Sequence, residues 1–106
     1  MLIYHIVLPE VWAAAKDKTF YEAASLAAEG FIHCSYADQL DGVVERYYSG
    51  MEKVVILTID ANKLTSPLVS EPSTNNEAYP HIYGPINTDA VTQAETRAVA
   101  SVPANA

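Results

Sequence analysis

The run Val54–Ile59 constrains the fold of this chain more than any other segment, because its residues are apolar almost throughout. A continuous apolar run of this length predicts a β-strand that is covered on both faces. Leu2–Leu8 is rich in β-branched and aromatic residues and predicts a second buried strand, which Pro9 ends at the first position of a helix. The chain therefore needs a sheet with packing on both sides.

Short helices are predicted between these two strands. One follows Pro9 and ends near Lys16–Lys18, where cations complement the helix dipole. Thr19–Glu22 fits a capping box, so a second helix is expected from there to Gly30, a residue that ends helices without steric cost. Ser35–Asp38 fits similar capping logic, with Ser35 as the cap of a third helix that ends near Ser49.

The second half of the chain predicts mainly strands. Phe31–Cys34 and Leu68–Glu71 are typical of short strands, and the prolines on either side of His81–Tyr83 confine that piece to an edge or a rim of a sheet. The segment Val91–Val102 favours a strand over a helix. Helices early and strands late predict a compact α+β domain.

Length and composition predict one soluble domain. With 106 residues, half of them hydrophobic, the chain forms a single core; we expect it to occupy residues 1–100, with 101–106 as a flexible tail. The apolar stretches are too short to span a membrane, and the N-terminus has no signal-peptide pattern. One cysteine excludes an internal disulfide and suits a reducing compartment. A cytoplasmic location is expected.

The charge balance argues against two classes of partner. Six lysines and arginines face 13 acidic residues, giving a net charge of −7. A protein that binds the nucleic-acid backbone needs several cations to replace phosphate counterions. We therefore expect neither general nucleic-acid binding nor attachment to anionic membranes.

The three histidines, His5, His33 and His81, are the first candidates for chemistry, because all of them lie in strand-like apolar surroundings. A buried histidine costs free energy unless both ring nitrogens find partners, so each needs local hydrogen bonds or a shared pocket. Their separations of 28 and 48 residues match no metal-binding motif, so a three-histidine zinc site rests on their number alone.

Neighbouring residues add candidates for ligand contacts. Cys34 and His33 are adjacent on a strand and point to opposite faces, so Cys34 is expected in the core. Ser35 shares the face of His33 and either meets a ligand or caps the following helix. Tyr83 shares a face with the histidine two residues before it and can hydrogen-bond or stack on a flat ring. Trp12 is expected in the core or in a pocket wall.

Three segments together resemble one known family. They are Ile3–Ile6 with Trp12 following, Glu29–Ser35 with Gln39, and Pro80–Pro85. The chain resembles, over about residues 1 to 95, the small bacterial and plant proteins catalogued as domain of unknown function 952. That family has no established activity.

The resemblance implies an ADP-ribosyltransferase-like fold, with a split, strongly bent, mainly antiparallel sheet around a cleft. In that wider group a first-strand histidine lies at the NAD or ribose-phosphate site, as does a His-x-Ser-like segment in the RNA 2′-phosphotransferase branch. Tyr4-His5 and Ile32–Ser35 resemble these two elements, and Glu71 is the candidate for the late catalytic carboxylate. No Gly-Thr or Gly-Ser follows His5, and no arginine lies near either element in the sequence.

We therefore expect a cleft that binds a small ligand containing a nucleotide or ribose phosphate, in a transferase. His5, His33 and His81 are its candidate catalytic residues. The candidate ligand contacts are Ser35, Tyr83, Trp12, Gln39 and Glu71. Two alternatives stay open: a noncatalytic module that keeps the fold without the chemistry, and a metal-dependent hydrolase that uses the three histidines. The sequence identifies no cofactor.

Overall fold

The computed structural model describes residues 1–99, so the expected tail at 101–106 lies outside the described part of the chain. In chain order the elements are β1 (Leu2–Val7), α1 (Pro9–Ala15), β2 (Phe20–Tyr21), α2 (Ala24–Glu29), β3 (Ile32–His33), α3 (Leu40–Tyr48), β4 (Lys53–Asp60), β5 (Leu68–Pro72), β6 (Ala78–Ile82), β7 (Ile86–Asn87) and β8 (Val91–Ala98). Single turns of 3-10 helix precede α3 and β8. No helix between residues 1 and 99 is long and apolar enough to cross a membrane.

β4 is the central strand of an antiparallel sheet in the order β1-β4-β8. Leu57 and Ile59 point into one core, where they meet Ile32 and Ile82. The alternate residues of β4 point into a second core, which α3 covers. Both faces of β4 are therefore buried, as its apolar run predicts. Each such side chain contributes roughly 1.5–3 kcal/mol to folding.

A second three-stranded sheet has the order β3-β6-β5, and β2 pairs with β7 in a small third sheet. Ile32 pairs with Ile82 and faces the core, whereas the next pair, His33 with His81, lies on the opposite face of the sheet, where His33 is exposed and His81 is buried. An isolated bridge joins the two larger sheets: the Tyr4 and Ser35 backbones exchange hydrogen bonds of 2.9 and 2.7 Å. The expected α+β class with antiparallel sheets and short helices is confirmed.

β6 is a central strand, so the prediction that its prolines confine it to an edge is wrong. The carbonyl of Pro80 faces β3 and accepts a hydrogen bond from the Cys34 N–H at 3.0 Å. The nitrogen of Pro80, which has no hydrogen to donate, lies on the same side of β6. It lies past His33, where β3 has already ended. Because β3 has only two residues, a proline in the middle strand costs the sheet no hydrogen bond between β3 and β6.

Two capping predictions are also wrong. Phe20 and Tyr21, expected in a helix, pair with Asn87 and Ile86, and α2 starts only at Ala24 without a side-chain cap. The predicted stop at Gly30 is confirmed by its left-handed conformation, with φ of 90°.

Ser35 does not cap the third helix, because the turn that leads into it begins at Ala37 and Tyr36 occupies the cap position. The backbone of Ser35 forms the bridge to Tyr4. The side chain of Gln39 caps that turn instead: its Oε1 accepts a hydrogen bond from the Tyr36 N–H at 2.9 Å. The cap therefore lies one residue later than the sequence pattern suggests. The predicted final strand is confirmed over Val91–Ala98.

We predict opposite effects from two glycine-to-alanine substitutions. A Cβ at Gly84, where φ is +155°, would lie 2.9 Å from the Cβ of Ser66, whereas a Cβ at Gly42 on α3 would meet nothing within 4 Å. Gly84→Ala should lower the free energy of unfolding by about 1–3 kcal/mol. Gly42→Ala should raise it by up to about 1 kcal/mol. Urea denaturation measures both, and equal effects would contradict the close approach at Gly84.

Candidate functional site

A cleft of about 540 Å³ lies between β1, α3 and the segment that leads into α2. Its walls are largely aliphatic and aromatic, with Val7 from β1, Val11 from α1, and Val43 and Tyr47 from α3. This volume and this type of lining are typical of sites for small molecules.

Polar groups reach this cleft from three sides. His33 and Ser35 line it at the junction between the two larger sheets, and Tyr79 lines it from β6. The Tyr79 hydroxyl accepts a hydrogen bond from the Arg46 guanidinium at 3.0 Å, and that guanidinium lies 5.6 Å from the centre of the Tyr47 ring. A cation therefore contacts two tyrosines of the cleft wall.

Arg46 is a residue that the sequence interpretation missed, since it is far from both histidine segments along the chain. It follows Val43 by three residues on α3, so the two share a face of that helix. That helical spacing was the available signal, but it becomes informative only once α3 is known to form a wall of the cleft.

His5 is buried, and both nitrogens of its ring have partners. Nδ1 lies 2.7 Å from the carbonyl oxygen of His33, and Nε2 lies 2.8 Å from the Tyr21 hydroxyl. A carbonyl only accepts hydrogen bonds, so Nδ1 carries the proton and Nε2 accepts from the phenol. Burial lowers the pKa of His5 to about 4 and raises the pKa of Tyr21, so both groups are neutral near pH 7.

The buried neutral state of His5 makes folding stability depend on pH. The folded-state pKa is about 4, against an ordinary value near 6.5, so the unfolded chain binds the proton more tightly between these values. His5 therefore costs stability as pH falls from about 6.5 towards 4. Relative to His5→Gln, the wild type should lose about 2 kcal/mol of unfolding free energy between pH 7.5 and 5. Urea denaturation at several pH values checks this, and parallel pH profiles would contradict it.

A second cluster covers the outer face of the β3-β6-β5 sheet. The rings of His33 and His81 meet edge to face with centroids 5.4 Å apart, as their direct pairing across the strands requires. Phe31 stacks on His81 with centroids 4.2 Å apart. His33 Nε2 lies 2.9 Å from the Glu29 carboxylate, and both of these side chains are about half exposed.

Glu71 holds His81 and Tyr83 together. Its Oε1 lies 2.8 Å from His81 Nδ1 and also accepts a hydrogen bond from the Tyr83 hydroxyl. The bond from Tyr83, followed by the bond from His81, lowers the pKa of Glu71, and the carboxylate in turn raises the pKa of Tyr83. The cluster therefore contains an ionised carboxylate and a protonated phenol near neutral pH.

The three histidines do not meet at one point. His33 and His81 are in ring contact, while the ring nitrogens of His5 bind a backbone carbonyl and a phenol. His33 lines the cleft and also belongs to the outer cluster, so it connects the two. Within residues 1–99, no three side chains of histidine, cysteine, aspartate or glutamate form a group that could hold a metal ion. The metal-dependent alternative therefore has no site in this part of the chain.

Trp12 and Gln39 lie outside both the cleft lining and the histidine cluster. Trp12 packs against the core and meets the Tyr21 ring edge to face, with centroids 6.3 Å apart. The Gln39 amide donates to the Glu77 carboxylate and to the Ala78 carbonyl at 2.8 and 2.7 Å, and so ties the start of α3 to β6. Phe31 and Tyr21, by contrast, contact the histidines without having been predicted as site residues.

Comparisons with known proteins fit this description. The family described as Protein of unknown function (DUF952) matches residues 6–94. Protein CC0527 from Caulobacter crescentus is similar in structure: its crystal structure has a TM-score of 0.82 and 32% identity, over 91% of this chain and 85% of that one. Its solution NMR structure has a TM-score of 0.76 and 31% identity, over 98% and 88%. Among curated proteins, none matches the sequence significantly.

Proposed function

The chain belongs to the DUF952 family, and we propose that it binds a small molecule in the cleft between β1 and α3. One observation carries this proposal: largely apolar walls surround about 540 Å³, His33, Ser35 and Tyr79 add polar groups to the lining, and Tyr79 accepts a hydrogen bond from Arg46 just outside it. Such a combination of apolar walls with a few convergent polar groups is what orients a ligand within a pocket.

The walls and the polar groups favour a ligand with a flat ring and an anionic group. Tyr47 and Tyr48 offer aromatic surface for a ring. Arg46 supplies positive charge in a chain whose net charge is −7, and a guanidinium pairs well with phosphate or carboxylate oxygens. Nucleotides and ribose phosphates have both features, which agrees with the ligand class that the ADP-ribosyltransferase-like resemblance implies.

Binding without ADP-ribosyl transfer is the second candidate, and the geometry of His5 favours it. The resemblance places a first-strand histidine at the NAD site, yet both nitrogens of this ring are occupied by His33 and Tyr21. Because both ring nitrogens are hydrogen-bonded within the protein, His5 can hold the wall of the cleft in place but cannot contact a ligand through them. A cytoplasmic location stays a prediction of the sequence.

Thermal unfolding with ADP-ribose, NAD and a 2′-phosphorylated oligonucleotide tests the proposed ligand class. A ligand at 100 times its dissociation constant stabilises the folded state by about 2.7 kcal/mol, which is a rise of several degrees in Tm for a domain of this size. We expect such a rise for the wild type with at least one of the three compounds. The rise should disappear in His33→Ala, which removes a polar group from the cleft.

The two arginines of the chain provide a matched control. Arg46→Gln removes the cation that contacts Tyr47 and Tyr79 of the cleft wall, whereas Arg97→Gln removes a cation whose partner at 2.8 Å, Asp41, is not part of that wall. Arg46→Gln should weaken ligand binding about tenfold or more, and Arg97→Gln should leave it unchanged. If none of the three compounds shifts the Tm of the wild type, the nucleotide class is excluded.

A further inference from the structure

His81 has a buried ring nitrogen without a partner. Its side chain is only 4% exposed, and among the described residues its Nε2 is the buried side-chain polar atom that makes no hydrogen bond. A buried polar atom left in this state lowers the stability of the folded chain, and proteins rarely retain one without a reason. An apolar residue would fill the same position in a sheet at no such cost.

The other ring nitrogen of His81, Nδ1, has a hydrogen-bond partner. Nδ1 faces the Glu71 carboxylate at 2.8 Å, and a carboxylate accepts hydrogen bonds, so the Nδ1 proton points to Glu71. In the neutral ring, Nε2 then has a free lone pair. The Tyr83 hydroxyl donates to the same oxygen of Glu71 and fixes the carboxylate in place. This is the arrangement that orients a histidine as a proton acceptor.

We propose that the Glu71–His81 pair accepts a proton from a water molecule or from the hydroxyl group of a substrate at Nε2. The proton leaves the oxygen for Nε2, the electron pair stays on the oxygen as a nucleophile, and the imidazolium that forms is stabilised by the Glu71 carboxylate. The substrate class is therefore one attacked by water or by an alcohol. His81 does not line the cleft, so this inference does not rest on the proposed cleft ligand.

Two aromatic rings pack against the His81 ring, and both come from one short segment. Phe31 stacks on His81 at an interplanar angle of 22°, and His33 meets it edge to face. His33 is about half exposed, whereas Phe31 covers one face of the His81 ring. Shortening Phe31 should therefore open the ring of His81 to small molecules without changing its contact with Glu71.

Hydrolysis of 4-nitrophenyl acetate tests the proposal with a simple probe. Nε2 takes a proton from water, the water oxygen bonds to the acetyl carbon, and 4-nitrophenolate leaves; acetate is the other product, and the imidazolium returns its proton to solvent. Phe31→Ala should raise the rate of hydrolysis about tenfold or more over the wild type, and the double variant Phe31→Ala with His81→Gln should lose this gain. Glu71→Gln in the Phe31→Ala background should reduce it.

The exposed Glu29 on the same face provides a matched control for Glu71. Glu29→Gln in the Phe31→Ala background should leave most of the gained rate in place, because Glu29 contacts His33 and not the Glu71–His81 pair. A gain that depends on Glu29 and not on Glu71 would overturn the proposal. So would a rate that Phe31→Ala leaves unchanged.

Because His81→Gln alters a buried residue, NMR of the wild type provides a second test that needs no variant. Long-range ¹H–¹⁵N correlation spectra of the neutral ring of His81 should show the proton on Nδ1 and a bare Nε2. Glu71 and Tyr83 face this ring, as does His33 with its partner Glu29, so the same spectra are recorded for Glu29→Gln to distinguish the signals of the two rings. A neutral His81 with its proton on Nε2 would overturn the proposal, whatever the activity.

Discussion

The burial of β4 on both faces is the constraint on which the rest of the structure depends. An eight-residue strand whose side chains point into two separate cores needs a layer on each side. On one side α3 provides that layer, and on the other the β3-β6-β5 sheet provides it through Ile32 and Ile82. The cleft opens where these layers meet along β1, so its position follows from how β4 is covered.

At this meeting line, hydrogen bonds rather than apolar contacts fix the relative position of the two sheets. Tyr4 and Ser35 exchange two backbone bonds, and the next residue of β1, His5, donates to the carbonyl of His33. Apolar packing tolerates small shifts, whereas a buried hydrogen-bonded group tolerates few. The neutral, fully paired His5 therefore fixes the position of β1 relative to β3. This position places His33 and Ser35 at the cleft.

The sequence predicts the parts of the fold that local patterns determine. Val54–Ile59 and Leu2–Leu8 signal buried strands because apolar side chains must be covered, and Gly30 signals a helix end because it accepts a positive φ. The central position of β6 could not be predicted, because it depends on β3 ending before the sheet would require an N–H donor from Pro80. β2 was missed for a similar reason: its two residues are a strand only because β7 pairs with them.

The candidate site shows the same division between local and distant causes. Alternation along a strand predicts that Tyr83 shares a face with His81. In the structure both side chains are hydrogen-bonded to the Glu71 carboxylate. No local pattern distinguishes the three histidines, although their surroundings differ completely: His5 is buried with two partners, His33 is half exposed, and His81 is buried with one. A histidine's chemistry depends on which nitrogen remains free, and the partners that decide this lie 10 to 28 residues away along the chain. The same residue type therefore holds the two sheets together at one position and has an unpaired ring nitrogen at another.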